Sequence, residues 1–148
     1  MTQNLTNFLN GAKNKEFATK TGSNMHALLQ HVIIDDAHTN GDKTITEIIK
    51  KHSNLIAFFG TNAKTEVPVA GIFNGKFISR RIDRLLINQA TKTIDFIDYK
   101  TDTDKNTFLN NYKTQLNEYA QLLHLAYPGY KINGYILWLQ DWALEKII

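Results

Sequence analysis

The sequence predicts an α/β fold, a sheet with helices packed on its faces. Residues 1–60 place apolar side chains at helical spacing, punctuated by Gly22, Gly41 and Gly60. Short runs that alternate every second residue come next, two of them separated by Asn74-Gly75. Helical spacing then returns before two final alternating runs. Helices, three strands, a helix and more strands is the order that a helix-covered sheet requires.

Taken in order, Leu5 to Ala18 is weakly helical, whereas Ser23 to Asp36 and Lys43 to Phe59 have better helical spacing. Val67 to Phe73 and Lys76 to Asn88 are predicted strands, and Asn-Gly between them is a strong hairpin signal because both residues tolerate positive φ. The overlapping stretch GIFNGK resembles a phosphate loop, but it is one residue short before its Gly-Lys and Phe77 stands where Ser or Thr is needed, so no ATP site is expected. Thr93 to Lys100 is the third strand. Lys105 to Ala126 should form a long amphipathic helix with Asp104 as its N-cap, stopped by Pro128-Gly129. Tyr130 to Leu139 and Ala143 to Ile148 read as strands about a Gln140-Asp141 turn. With two prolines, no repeat and no low-complexity linker, residues 1–148 are expected to form one domain, mainly helical over 1–60 and built of sheet and helix over 64–148.

Length and composition narrow the function classes. A chain of 148 residues supports one sizeable core. No apolar run is long enough to span a bilayer, and Thr2 to Asn7 lacks the basic and apolar regions of a secretory signal, so a cytoplasmic location is expected. The absence of cysteine excludes disulfides and thiolate metal sites. A formal charge of +3 suits contact with phosphate backbones. Lys76, Arg80, Arg81, Arg84, Lys105 and Lys113 are candidates to line a nucleic-acid channel, although each taken singly reads equally well as solvated surface.

The chemistry concentrates in Thr93 to Lys100, TIDFIDYK. Residues two apart on a strand share a face, so Ile94 and Phe96 lead directly into Asp98 and Lys100. A buried carboxylate without compensation costs several kcal/mol, and a divalent cation would compensate it. Asp83 ends a similar face in Phe77 to Asn88, where it is expected to lie with Leu85 and Ile87 while Arg84 and Leu86 take the other side. Antiparallel pairing through Asn88 to Lys92 would set Asp83 beside Asp98. Two carboxylates and a lysine suit phosphodiester hydrolysis, because carboxylates hold Mg²⁺ with positions left for water and phosphate. An isolated Asp-x-Lys pair on a strand is otherwise an ordinary solvated ion pair.

Other motifs occur in a definite order around these residues. Glu66 stands in TEVPVAG, Ile82-Asp83-Arg84-Leu85 and Asp98-Tyr99-Lys100-Thr101 come after it, and Tyr112, Gln115, Leu116 and Tyr119 lie downstream, while Gly22 and His26 lie upstream in GSNMHALLQ. From Gly22 to Trp138 this order resembles the nuclease domain of the RecB and AddA family, within the PD-(D/E)xK superfamily. The closing Tyr127-Pro128-Gly129 and Tyr135-Ile136-Leu137-Trp138 are similar to the end of AddA helicase–nucleases. The spacing departs from the family at Gly75, which lies eight residues before Asp83 with Ser79-Arg80-Arg81 between.

The resemblance implies a restriction-endonuclease-like core, a mixed sheet flanked by helices, acting as a metal-dependent DNA nuclease. Asp83, Asp98, His26 and the Tyr99 carbonyl would be metal ligands, Lys100 the catalytic lysine, Glu66 and Gln115 residues at the edge of the site, and Tyr119 its support. Mg²⁺, with Mn²⁺ able to replace it, would be the cofactor. The iron–sulfur cluster of some relatives is not expected, because cysteine is lacking. DNA would be the substrate and a helicase subunit or domain the partner, in the repair of broken DNA ends by recombination. Read without the family, a histidine such as His26 is more often a packed or capping residue than a ligand, the stripe that holds Gln115 is usually core, and Glu66 is equally the start of a strand. The rival function is a nuclease-fold module that binds DNA or a helicase without cutting.

Overall fold

The computed structural model describes residues 24–148, so Leu5 to Ala18, Gly22 and Ser23 lie outside the described residues. The elements are α1 (24–30), α2 (Lys43–Lys50), a 3₁₀ helix (Ile56–Phe59), β1 (Lys64–Phe73), β2 (Lys76–Asn88), β3 (Thr93–Lys100), α3 (Leu109–Ala126), β4 (Lys131–Trp138) and β5 (Ala143–Lys146). The five strands form one mixed sheet in sequence order. All neighbours are antiparallel except β3 and β4. That parallel pair requires a crossover, which α3 supplies. Among the described residues no helix is long and apolar enough to cross a membrane.

Strand alternation sorts the core into two layers. On one face Leu85, Ile94, Phe96, Ile136 and Trp138 pack against Leu116, Tyr119 and Leu123 of α3. On the other, Ile97, Tyr99 and Leu137 pack against Met25 and Leu29 of α1, Ile45 and Ile49 of α2, and Phe58 and Phe59 of the 3₁₀ helix. The result is a sheet between two helical layers. Gly134 allows the close fit on the α3 side, because a Cβ there would lie 2.6 Å from Phe96 Cζ.

Several expected boundaries change. The helix expected over 23–36 stops at residue 30, and Ile33 then pairs with Asn40 through Ile33 N–H to Asn40 O at 3.0 Å and the reciprocal bond at 2.9 Å. The β-branched run Val32-Ile33-Ile34 favours this extended pairing. The helix expected over Lys43–Phe59 ends at Lys50 and resumes as the short 3₁₀ turn. Burial of Leu55, Phe58 and Phe59 reproduces helical spacing across that break. α3 starts at Leu109, and Asp104 caps the preceding turn by accepting from Asn106 N at 3.0 Å and Thr107 N at 3.3 Å. It is therefore not the N-cap of α3, which is Phe108.

The hairpin matches its sequence signal, with Asn74 and Gly75 at φ of 50° and 73°. β2 pairs with β3 only over Arg84 to Asn88, whereas its pairing with β1 begins at Lys76. The hairpin therefore extends beyond the sheet as a two-stranded arm.

Candidate functional site

The site forms where β2 and β3 part. Their ladder ends at Arg84 opposite Ile97, one residue short of Asp83 and Asp98. Beyond it the Asp83 side chain takes over, its Oδ2 accepting a 2.7 Å hydrogen bond from Tyr99 N–H. Alternation slips at this point, because Ile82 and Leu85 pack in the same core layer although three residues apart. Across the hairpin, Thr65 pairs with Arg84 and Val67 with Ile82, and Glu66 between them has a φ of 51°. Positive φ in a non-glycine residue is strained backbone of the kind found at functional sites. Here it accompanies the turning of Glu66 toward Asp83.

Three side chains converge as a result. One ligand atom each from His26, Glu66 and Asp83 lies within 4.8 Å of the others. His26 Nδ1 is 3.3 Å from Asp83 Oδ1, and its ring and that of Tyr99 form a T-shaped pair 5.2 Å between centroids. Burial by itself would lower the His26 pKa, but the Asp83 hydrogen bond and the charges of Asp83, Asp98 and Glu66 outweigh it and raise the value. An octahedral shell with ligands at about 2.1 Å places its donor atoms roughly 3–4 Å apart. The cluster could close onto a divalent cation by small side-chain movements, its donors being one imidazole nitrogen and two carboxylate oxygens.

Asp98 and Lys100 form the second half of the site, on the α3 side. Asp98 is 4% exposed. Lys100 Nζ lies 2.7 Å from Asp98 Oδ2, an ion pair that compensates the buried carboxylate. Burial pushes the Asp98 carboxyl up to about 6, with Asp83 adding to the rise and Lys100 and His26 opposing it. Lys100 Nζ donates to Gln115 Oε1 at 2.9 Å, and Gln115 Nε2 donates to the Tyr119 hydroxyl at 2.8 Å. The Tyr112 ring lies 4.3 Å from the ammonium, and the Tyr112 hydroxyl donates to Asp102.

The anticipated residues are thus divided between two neighbouring groups. His26 and Asp83 join Glu66, which sequence reasoning places only at the edge. Asp98 pairs with Lys100, which Gln115 and Tyr119 hold from α3. Tyr99 contributes its N–H to Asp83, and its carbonyl leaves the same strand edge by β geometry.

Arg84 requires a correction. It is a candidate channel residue by sequence, yet it is 1% exposed. Its guanidinium donates to Tyr99 Oη at 2.8 Å, Phe58 O at 3.0 Å, Leu29 O at 2.6 Å and Val32 O at 2.7 Å, and stacks 3.9 Å over Phe59. Leu29 O lies in the last turn of α1 and Val32 O just after it, at the helix end where a cation is favoured. Arg84 therefore clamps the helix that carries His26 to the strand that carries Asp83. The sequence signal is its position among Ile82, Leu85 and Leu86 in a strand apolar on both faces. Lys105 is likewise engaged, 2.6 Å from Asp141, and Arg80 is 3.0 Å from Glu118. Lys76, Arg81 and Lys113 are exposed.

No family model and no curated protein matches the chain. The functional reading therefore rests on this geometry and on the motifs in the sequence.

Proposed function

We propose that the chain is a divalent-metal-dependent deoxyribonuclease that hydrolyses DNA phosphodiesters, on a core of the PD-(D/E)xK type. The observation that carries this reading is the meeting of Asp83, Asp98 and Lys100 with His26 and Glu66 at the parting of β2 and β3. His26, Glu66 and Asp83 would hold the cation, with Asp98 beside them. When bound, the cation supplies charge neutralisation on the phosphate and lowers the pKa of water.

The chain's own residues do the positioning. Tyr99 N–H holds Asp83 Oδ2 and so leaves Oδ1 directed at His26. Lys100 has three donors. One is given to Gln115 and another side of the ammonium meets Asp98, which leaves a donor for the attacking water or a phosphate oxygen. Gln115 and Tyr119 fix the lysine, since each reaches its partner from successive turns of α3. Preorganised charge of this kind is usually the largest contribution in phosphoryl chemistry. By its resemblance to AddA and RecB nucleases, the domain would act on broken DNA ends alongside a helicase.

The test is cleavage of linear single- and double-stranded DNA with Mg²⁺ or Mn²⁺, beside EDTA and Asp98→Ala controls. Cutting that needs both the metal and Asp98 supports the proposal. DNA binding with no cutting would replace it with a non-catalytic binding module.

A further inference from the structure

We propose that the outer face of the β1–β2 arm is a single-stranded nucleic-acid track, with Phe77 at its tip as a base-stacking platform. The inference rests on the nuclease reading and specifies how that site takes its substrate.

The face is defined by register. Gly71 lies against α3, since a Cβ on it would meet Leu122 Cδ2 at 3.1 Å. Residues one position away on the strand point to the opposite side. That side carries the cross-strand pairs Pro68 with Arg81, Ala70 with Ser79, and Ile72 with Phe77. All six residues are exposed. Arg81 begins the track beside the cation cluster, its Nη1 3.8 Å from Glu66 Oε2. Ala70 and Ser79 are small and leave a shallow trough. Ile72 and Phe77, 69% and 73% exposed, are the most exposed large apolar side chains among the described residues.

Arginine for a phosphate, small side chains for clearance and an aromatic ring for a base is the composition of a single-strand binding surface. From Val67 to Ile82 the arm carries Lys76, Arg80 and Arg81 and no acid, which favours a polyanion. Pairing of β1 with a second copy is disfavoured, because Pro68 removes a donor from that edge strand. An anionic membrane would engage the tip alone, whereas the exposed face runs continuously to the cluster. Phe77 lies six residues from Asp83, or about 20 Å of strand. At 3.4 Å per stacked nucleotide that is roughly six nucleotides. Strands much shorter than this cannot reach both ends.

The experiment is fluorescence anisotropy in EDTA, using end-labelled oligothymidylates of four and sixteen nucleotides with the parent chain, Phe77→Ala and Phe77→Trp. Phe77→Ala is expected to weaken binding of the longer strand about tenfold, by loss of one stacked base, and to leave the shorter unchanged. Phe77→Trp should restore affinity and show tryptophan quenching beyond the parent's when the longer strand is added. Equal affinity of parent and Phe77→Ala for the longer strand would overturn the proposal. So would an equal loss on both lengths, or binding of the tip to anionic phospholipid vesicles with no effect of Phe77 on oligonucleotide. The two readings fail separately. Metal-dependent cutting with no role for Phe77 removes the track alone, and Phe77-dependent binding without cutting removes the nuclease alone.

Discussion

Replacing Arg84 by Met should destabilise the domain by about 3–5 kcal/mol, the usual cost of removing one partner from a buried charged network. The guanidinium makes four hydrogen bonds, to Tyr99 Oη and to the carbonyls of Leu29, Val32 and Phe58. Hydrogen bonds to charged groups contribute roughly 1.5–3 kcal/mol each, a gross 6–12 kcal/mol. Burial of the charge offsets part of that sum, consistent with the lowered pKa that desolvation gives Arg84. Methionine fills similar space but donates nothing, so Val32 O, Phe58 O and Tyr99 Oη lose the guanidinium donor, while Leu29 O keeps the Val32 N–H at 3.1 Å. At about 2–4 °C per kcal/mol for a domain of this size, the melting temperature should fall by roughly 10 °C. Arg84→Lys keeps the charge but cannot reproduce the fork, so it should rescue only partly. Urea denaturation of the three proteins measures the effect. A loss under about 1 kcal/mol for Arg84→Met would refute the argument that this residue ties α1 to the sheet.

Three further outcomes are expected. Gly134→Ala brings a methyl within 2.6 Å of Phe96 Cζ and should cost about 1–3 kcal/mol by overpacking, read as a lower urea midpoint. Lys100→Ala should fold and bind Mn²⁺ as the parent does but lose cleavage, because Lys100 touches neither Glu66 nor His26; cleavage at the parent rate would remove it from the mechanism. In EDTA the protein should be more stable at pH 5 than at pH 8. Asp98 is held at about 6 and His26 is also raised, so the folded state binds more protons, and stability is lost as pH rises through those values. Urea midpoints across that range test the sign, and saturating Mn²⁺ should reverse the trend because metal ligands must be deprotonated.

Alternation made much of this architecture legible in the sequence. The face Ile94, Phe96, Asp98, Lys100 could be read directly, and Asn74-Gly75 located the hairpin. Pairing of Asp83 with the neighbourhood of Asp98 came from the short connection at Asn88 to Lys92. Glu66 was harder to place, because its approach depends on a positive φ and a break in pairing that no periodicity encodes. Sequence proximity groups Arg84 with Arg80 and Arg81, which are exposed, although Arg84 itself is buried. Only the three-dimensional convergence of Leu29, Val32, Phe58 and Tyr99 on its guanidinium gives it a buried role. Periodicity runs past the true ends of α1 and α2, since residues buried by a loop or a 3₁₀ turn continue helical spacing after the helix has stopped.

The central claim is tested most directly by measuring Mn²⁺ binding and single-turnover cleavage of linear DNA on the same samples across a Mn²⁺ titration. Cleavage should be absent in EDTA, should rise with the same midpoint as metal binding, and should disappear together with that binding in Asp83→Asn. Cleavage that persists in EDTA, or an Asp83→Asn variant that cuts like the parent, would contradict the account.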